Sequence, residues 1–269
     1  MPELPEVETG RRLADRALKG GVIEKVAVAD DRIVFDGVTP KRFASALRGR
    51  KIIDTHRRGK YIWFALDRTP WPLFHYGMSG RFDVYRDASE RPSYWKVELL
   101  MADGTRLSMR NPRRLGRIRL LDDVENQPPI SKLGVDPYLD LPTAKQLAAA
   151  MAKRRGPIKA LLLDQSFLAG VGNWIADEVL YQAHIDPRTA ACDLSGEQVA
   201  RFRAKLRAIL KRAVDVDADK DRFPRTWLFH YRWGKNSHAV MPSGERIEHI
   251  TLGGRTTAWV PALQQRSGG

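Results

Sequence analysis

The sequence predicts an α+β fold: an N-terminal β-sandwich with a leading helix, then a helical region with a C-terminal β-hairpin. Three observations predict it. Short apolar runs separated by turn residues fill residues 22–121, the texture of a sandwich or barrel. After Asp122 the prolines of Asn126-Gln127-Pro128-Pro129 and Val135-Asp136-Pro137 interrupt the chain, and helical periodicity takes over. From 238 to 260 strand-like alternation returns around Pro242-Ser243-Gly244 and Gly253-Gly254. The expected organisation is a domain over 1–125, a linker over 126–142 and a second domain over 143–269, whose terminal hairpin occupies about 236–262.

Residues 5–18 read as a helix. Pro5 suits its first turn, Glu6 and Glu8 suit the positive end of its dipole, and Gly20-Gly21 ends it behind Arg16 and Lys19. Strands follow at 22–28, 33–35, 51–55, 61–66, 73–75, 81–85, 94–100, 106–110 and 117–121, interrupted by one helix near 40–47. In the second half, Thr143 with Gln146 and Ser195 with Gln198 fit capping boxes. The helix after Ser195 sets Val199, Phe202, Leu206, Ile209, Leu210 and Ala213 on one face, with Arg and Lys on the others. Two shorter helices, 157–165 and 174–182, flank the segment 166–173. There is no internal repeat and no low-complexity tract.

With 269 residues, 43% of them hydrophobic, the chain has material for one or two domains with a substantial core. Lys and Arg number 46 against 32 acidic residues, a formal net charge of +14. Such an excess argues for a polyanionic partner and says nothing of fold. No apolar run approaches the roughly 18 residues that span a bilayer, and the acidic, proline-rich start is the reverse of a secretory leader. An intracellular protein of the cytoplasm, nucleoid or nucleus is expected, with no membrane partner. The single cysteine, Cys192, rules out an intrachain disulfide and a multi-thiolate zinc site.

Three residues at the start could carry chemistry. With Met1 removed, Pro2 presents a secondary amine, which can attack a carbonyl-like carbon and give an iminium directly. An α-amine titrates well below a lysine, so more of it is free at neutral pH. Read alone, Pro2 is more readily a stiff, protease-resistant start. Glu3 could protonate a leaving oxygen, and Glu6, one helical turn on, could position or polarise. Both could instead do no more than favour the helix terminus, the reading adopted for Glu8.

The run Pro2-Glu3-Leu4-Pro5-Glu6-Val7-Glu8-Thr9 resembles the start of the formamidopyrimidine-DNA glycosylase/endonuclease VIII family. The resemblance recurs at Arg58-Gly59-Lys60-Tyr61, His75-Tyr76-Gly77-Met78-Ser79-Gly80 and Asn111-Pro112-Arg113-Arg114-Leu115-Gly116. It is strongest from Asp164 to Leu180 and continues to Ile185-Asp186-Pro187, covering nearly the whole chain in family order. It implies a bifunctional glycosylase and AP lyase of base excision repair, a monomer acting on damaged double-stranded DNA without cofactor or metal. Pro2 would attack C1′ of a damaged nucleotide, expel the base and form an iminium, and β,δ-elimination would cut the strand. Glu3 would be the acid and proton shuttle, Glu6 a supporting group, and Lys60 a holder of the flanking phosphate. The segment 166–173 would join a helix–two-turn–helix element, with Gly172 and Asn173 on phosphate and Asn173 also the N-cap. Met78, Arg113 and Leu115 match positions whose side chains fill the hole left by a flipped base.

The sequence departs from that pattern in three places. A four-cysteine zinc finger is impossible. Instead, His230-Tyr231-Arg232-Trp233-Gly234 and residues 250–260 resemble the zincless finger of plant and fungal members, with Arg255 matching the arginine that reaches phosphate. His238 and His249 lack further close ligands and read as surface residues. Leu115 stands where an aromatic is frequent. The segment 214–224 is short and acidic where bacterial members have a longer loop over 8-oxoguanine, so formamidopyrimidines and hydantoins are the expected substrates. The alternatives are an endonuclease VIII-like preference for oxidised pyrimidines, a damaged-DNA binder without chemistry, and a general basic nucleic-acid binder.

Overall fold

The computed structural model describes residues 1–234 and 238–265, and the chain divides into two units, Met1–Lys132 and Leu133–Gly269. In the first unit, α1 (Leu4–Leu18) is followed by β1 (Ile23–Val28), α2 (Pro40–Leu47), β2 (Ile52–Arg58), β3 (Tyr61–Leu66), β4 (Trp71–His75), β5 (Arg81–Tyr85), β6 (Trp95–Met101), β7 (Arg106–Arg110) and β8 (Arg117–Leu121). The strands form two four-stranded antiparallel sheets, ordered β1-β6-β7-β5 and β2-β3-β4-β8. Alternation along each strand turns one face inward. Phe64 and Phe74 of one sheet meet Phe82 of the other at ring-centroid distances of 5.7 and 5.2 Å. All three are buried, and burying a side chain of this size stabilises by about 1.5–3 kcal/mol. α1 packs against β2 and β5, an edge strand of each sheet.

The expected strand at 33–35 is absent. Asp31 Oδ1 accepts the N–H groups of Ile33 and Val34 at 3.2 and 3.4 Å, which closes a turn, and Phe35 makes only an isolated bridge to Ile118. A short polar side chain here outcompetes the ladder for backbone donors.

The second unit contains α3 (Ala144–Met151), α4 (Ile158–Leu163), α5 (Asn173–Gln182), α6 (Gly196–Asp215), β9 (Glu248–Leu252) and β10 (Arg255–Trp259). Thr143 and Ser195 cap α3 and α6 as capping boxes. The predicted apolar face of α6 is buried in full. Much of 126–142 is built into the units: Val135 bridges Leu168, and Asp136 Oδ1 accepts from Tyr138 N at 3.1 Å. β9 and β10 pair antiparallel with Leu252 opposite Arg255. Between them Gly253 and Gly254 have φ of +56° and +69°, the pair of left-handed residues that a tight hairpin turn requires. Residues 236 and 237 of the expected finger lie outside the described residues. No described helix is long and apolar enough to cross a membrane.

Candidate nucleic-acid interface and active site

At the head of α1, Pro2 is half-buried and Glu3 is buried. Glu3 is the N-cap of the helix, and Glu6 Oε2 accepts its backbone N–H at 3.0 Å. Burial, reinforced by the neighbouring Glu3 carboxylate, pushes the Glu6 carboxyl up to about 7, so a carboxylic acid is present there near neutral pH. Glu6 thus does more than favour the helix dipole: it closes the first turn with a desolvated group that titrates near neutrality.

Glu8 is not a helix-terminus charge. It is buried against β2, where Glu8 Oε2 accepts from Arg57 Nε at 2.9 Å, and it also pairs with Arg11 at 2.9 Å and Arg12 at 3.1 Å. Burial alone would raise its carboxyl, but the hydrogen bond from Arg11 and the charge of Arg57 hold it below the ordinary value. Arg57 also donates Nη1–H to the Gly59 carbonyl at 3.0 Å. The same guanidinium therefore fixes α1 and the β2–β3 turn that carries Lys60, itself buried. Across the strand pair, Tyr61 lies opposite His75, whose Nδ1 accepts from Gly77 N at 3.2 Å. Burial and then the Lys60 charge lower His75 to about 4, which keeps its imidazole neutral and able to accept.

Met78 sits on the β4–β5 loop, and Arg113 and Leu115 on the β7–β8 loop. The buried Asn111 joins the two loops, donating Nδ2–H to Tyr76 O at 2.8 Å and accepting Gly116 N–H at 3.1 Å. Gly77, at φ +64°, brings its backbone against that of Leu115, where a Cβ would lie 2.4 Å from the carbonyl. Met78 is half-buried, Arg113 exposed and Leu115 46% exposed, so one rim holds all three, with the leucine largely in solvent.

In the second unit, Gln165 shapes the turn ahead of α5: its side chain accepts from Gly170 N at 3.0 Å and donates to Val171 O at 2.8 Å. The N-cap of α5 is Gly172, and Asn173 is the first helical residue. The Asn173 amide does not cap. It donates to Thr256 O of β10 at 2.8 Å, and its buried Oδ1 has no hydrogen-bond partner among the described residues. A cap preference loses here to a tertiary partner, and the result places Gly172, Asn173 and exposed Arg255 at one end of one unit. Beneath them Asp177 accepts from Lys159, from Arg232 Nε at 3.1 Å and from Ala258 N at 3.1 Å, while Lys159 also donates to Asn173 O at 2.9 Å. His249 is half-buried rather than a surface residue, its Nε2 lying 3.2 Å from Arg232 O.

Sequence reasoning missed the supports: Asp31, Arg57, Asn111, Lys159 and Asp177. Asn111 and Asp177 lay inside motifs of the resemblance, Arg57 directly preceded one, and Lys159 lay five residues ahead of another. Nothing in local spacing marks Asp31. Among the described residues no group of three or more His, Cys, Asp or Glu gathers as a metal site would.

Three family models match the chain: the formamidopyrimidine-DNA glycosylase N-terminal domain over residues 1–118, its H2TH domain over 133–224, and the formamidopyrimidine-DNA glycosylase-like C-terminal domain over 227–261. A formamidopyrimidine-DNA glycosylase of Arabidopsis thaliana is 42% identical, covering 100% of this chain and 72% of its own length. Its counterparts from Paracoccus denitrificans and Bacillus subtilis are 38% and 31% identical, over 98% and 99% of this chain and 100% of theirs. Among solved structures, the Lactococcus lactis formamidopyrimidine-DNA glycosylase non-covalently bound to DNA containing an AP site superposes with a TM-score of 0.85 at 26% identity, over 98% of this chain and 99% of that one.

Proposed function

The chain belongs to the formamidopyrimidine-DNA glycosylase family, and from that premise we propose that it is a DNA glycosylase and AP lyase of base excision repair that works through Pro2. The observation that carries the reading is the head of α1: a proline held half-buried beside buried Glu3 and the neutralisable Glu6, in a chain similar to glycosylases from end to end.

With Met1 removed, the Pro2 nitrogen bonds to C1′ of the damaged nucleotide as the C1′–base bond breaks. Glu3 delivers the proton that the departing base or opening sugar requires. Ring opening leaves an iminium, the electron sink for loss of a C2′ proton and departure of the 3′ phosphate, and then for loss of the C4′ proton and departure of the 5′ phosphate. Glu6 accepts or returns a proton near neutral pH beside Glu3. Lys60, on a turn braced by Arg57, holds the flanking phosphate. Gly172, Asn173 and Arg255 take up backbone phosphate, the glycine and helix start offering N–H groups and the arginine its charge. Met78, Arg113 and Leu115 occupy the space that the extruded nucleotide leaves, offsetting the few kcal/mol that unstacking costs. Leucine fills volume without the stacking an aromatic would add. The hairpin of β9 and β10 serves as a zincless finger. The damaged duplex meets a monomer.

The substrates we favour are formamidopyrimidines and hydantoins ahead of 8-oxoguanine. The segment after α6 is short and tied down: Ala218 N–H reaches Ala213 O at 2.8 Å, Asp219 caps Asp221, and Phe223 is buried against Trp174 and Trp227. That supports a site with little chain to spare for covering a base.

Borohydride trapping on a lesion duplex tests the proposal. The processed protein is expected to form a covalent adduct, and Pro2→Gly and Glu3→Gln to lose it. Absence of an adduct, or full activity in material whose intact mass shows a retained Met1, overturns the assignment of Pro2.

A further inference from the structure

Arg114 stands between two of the rim residues, Arg113 and Leu115, yet points elsewhere. Its Nε and Nη2 both donate to the Asp31 carboxylate at 3.0 Å, and the arginine adopts φ +53°, a conformation that L side chains rarely hold. Asp31 is a strong partner. It is 5% exposed, receives Lys96 Nζ from β6 at 2.7 Å, and is fixed by the turn to Ile33 and Val34. Burial would raise its carboxyl, but the hydrogen bonds from Arg114 and Lys96 bring it down to about 2, so the anion persists across the physiological range. A single exposed ion pair would count for little. Here a planar fork meets a buried, doubly partnered carboxylate, which adds directional constraint to attraction.

The loop is consequently held at three points. Asn111 bolts its two ends, Gly77 lies against its backbone at Leu115, and Asp31 draws Arg114 to one side. Reversing the direction of the middle residue obliges its neighbours to face outward. We propose that Asp31 is a positioning residue that, by clasping Arg114, presets Arg113 and Leu115 for entry into the duplex. The inference rests on the reading above that these two side chains fill the space of an extruded nucleotide. It concerns the step before chemistry, so a substrate whose sugar is already unstacked should be indifferent to it.

The test uses the whole processed protein with two substitutions. Asp31→Asn removes the charge but also touches the turn to Ile33 and Val34. Arg114→Lys leaves Asp31, Lys96 and that turn intact and removes only the fork. Both are expected to slow single-turnover excision from a formamidopyrimidine duplex by about ten-fold, short of the roughly hundred-fold that a 1 Å misplacement can cost. Both should cleave an abasic site in a single-stranded oligonucleotide at the unaltered rate. In the duplex, 2-aminopurine beside the lesion should report delayed unstacking. Equal losses on the two substrates, or none on either, overturn the inference. Leu115→Ala separates the two ways of failing. If it slows duplex excision while Asp31→Asn and Arg114→Lys do not, only the clasp is wrong. If it leaves duplex excision intact, the space-filling reading fails and the clasp with it.

Discussion

Glu6→Gln should make the protein more stable at neutral and alkaline pH, although it alters a residue of the proposed active site. Burial and the Glu3 carboxylate move the Glu6 carboxyl from 4.5 to about 7, and at 1.36 kcal/mol per pH unit that converts to about 3 kcal/mol. Below pH 4.5 the group is neutral in folded and unfolded chains alike and exerts no pH-dependent effect. Between 4.5 and about 7 the unfolded chain gives up its proton while the folded chain retains it, so stability falls. Above about 7 both are ionised and the loss is complete. Glutamine stays neutral throughout and keeps an oxygen to accept the Glu3 N–H. Urea denaturation of both proteins from pH 4 to pH 9 gives the difference directly. Glu178, also pushed up to about 7 by burial, lowers both curves equally and drops out. The expected difference grows in favour of Glu6→Gln across pH 4.5–7 and then levels at about 3 kcal/mol. A flat difference across that window refutes the reasoning, because it would mean that the carboxylate is as well solvated in the folded protein as in the unfolded chain.

Two further outcomes follow from the second unit and from charge. Asp177→Asn leaves Lys159 and Arg232 buried without their shared anion, and breaking a buried pair in this way costs about 3–5 kcal/mol. Equilibrium urea unfolding should register that loss, and a change under about 1 kcal/mol would show that surrounding dipoles already neutralise the cations. Binding to a duplex bearing an uncleavable abasic analogue should weaken with salt. If about six phosphates are contacted, log K falls with a slope near −5 against log salt concentration, and Arg255→Ala should make that slope shallower by about one.

The regular elements were legible because their signals are local. Alternation, the capping residues Thr143 and Ser195, and the Gly253-Gly254 turn each lie within a few residues of the structure they specify. Failures came where a polar side chain had a local and a distant option. Asn173 is a favoured cap residue, yet its amide goes to Thr256, 83 positions away. Glu8 suits a helix start, yet it pairs with Arg57 at a separation of 49. Asp31 lies between two runs that read as strands, yet its carboxylate closes a turn and holds Arg114, again 83 positions on. Local rules cannot rank such choices, because the distant partner is brought near only by the fold.

The same distinction separates the proposed chemical groups from their supports. Pro2, Glu3, Lys60, Asn173 and Arg255 were singled out because reactivity or phosphate affinity resides in the residue type and its motif. Arg57, Asn111, Asp177 and Asp31 react with nothing. They pair across elements and brace the turns and loops that carry the proposed groups, with exposures of 5%, 0%, 1% and 5%. A buried ion or amide of this kind is expensive unless fully partnered, so each is tolerated only while its distant partner is in place. The β2–β3 turn, the rim loops and the β9–β10 hairpin therefore each depend on long-range polar contacts, and a substitution at a supporting residue should move the geometry of its loop before it unfolds the unit that carries it.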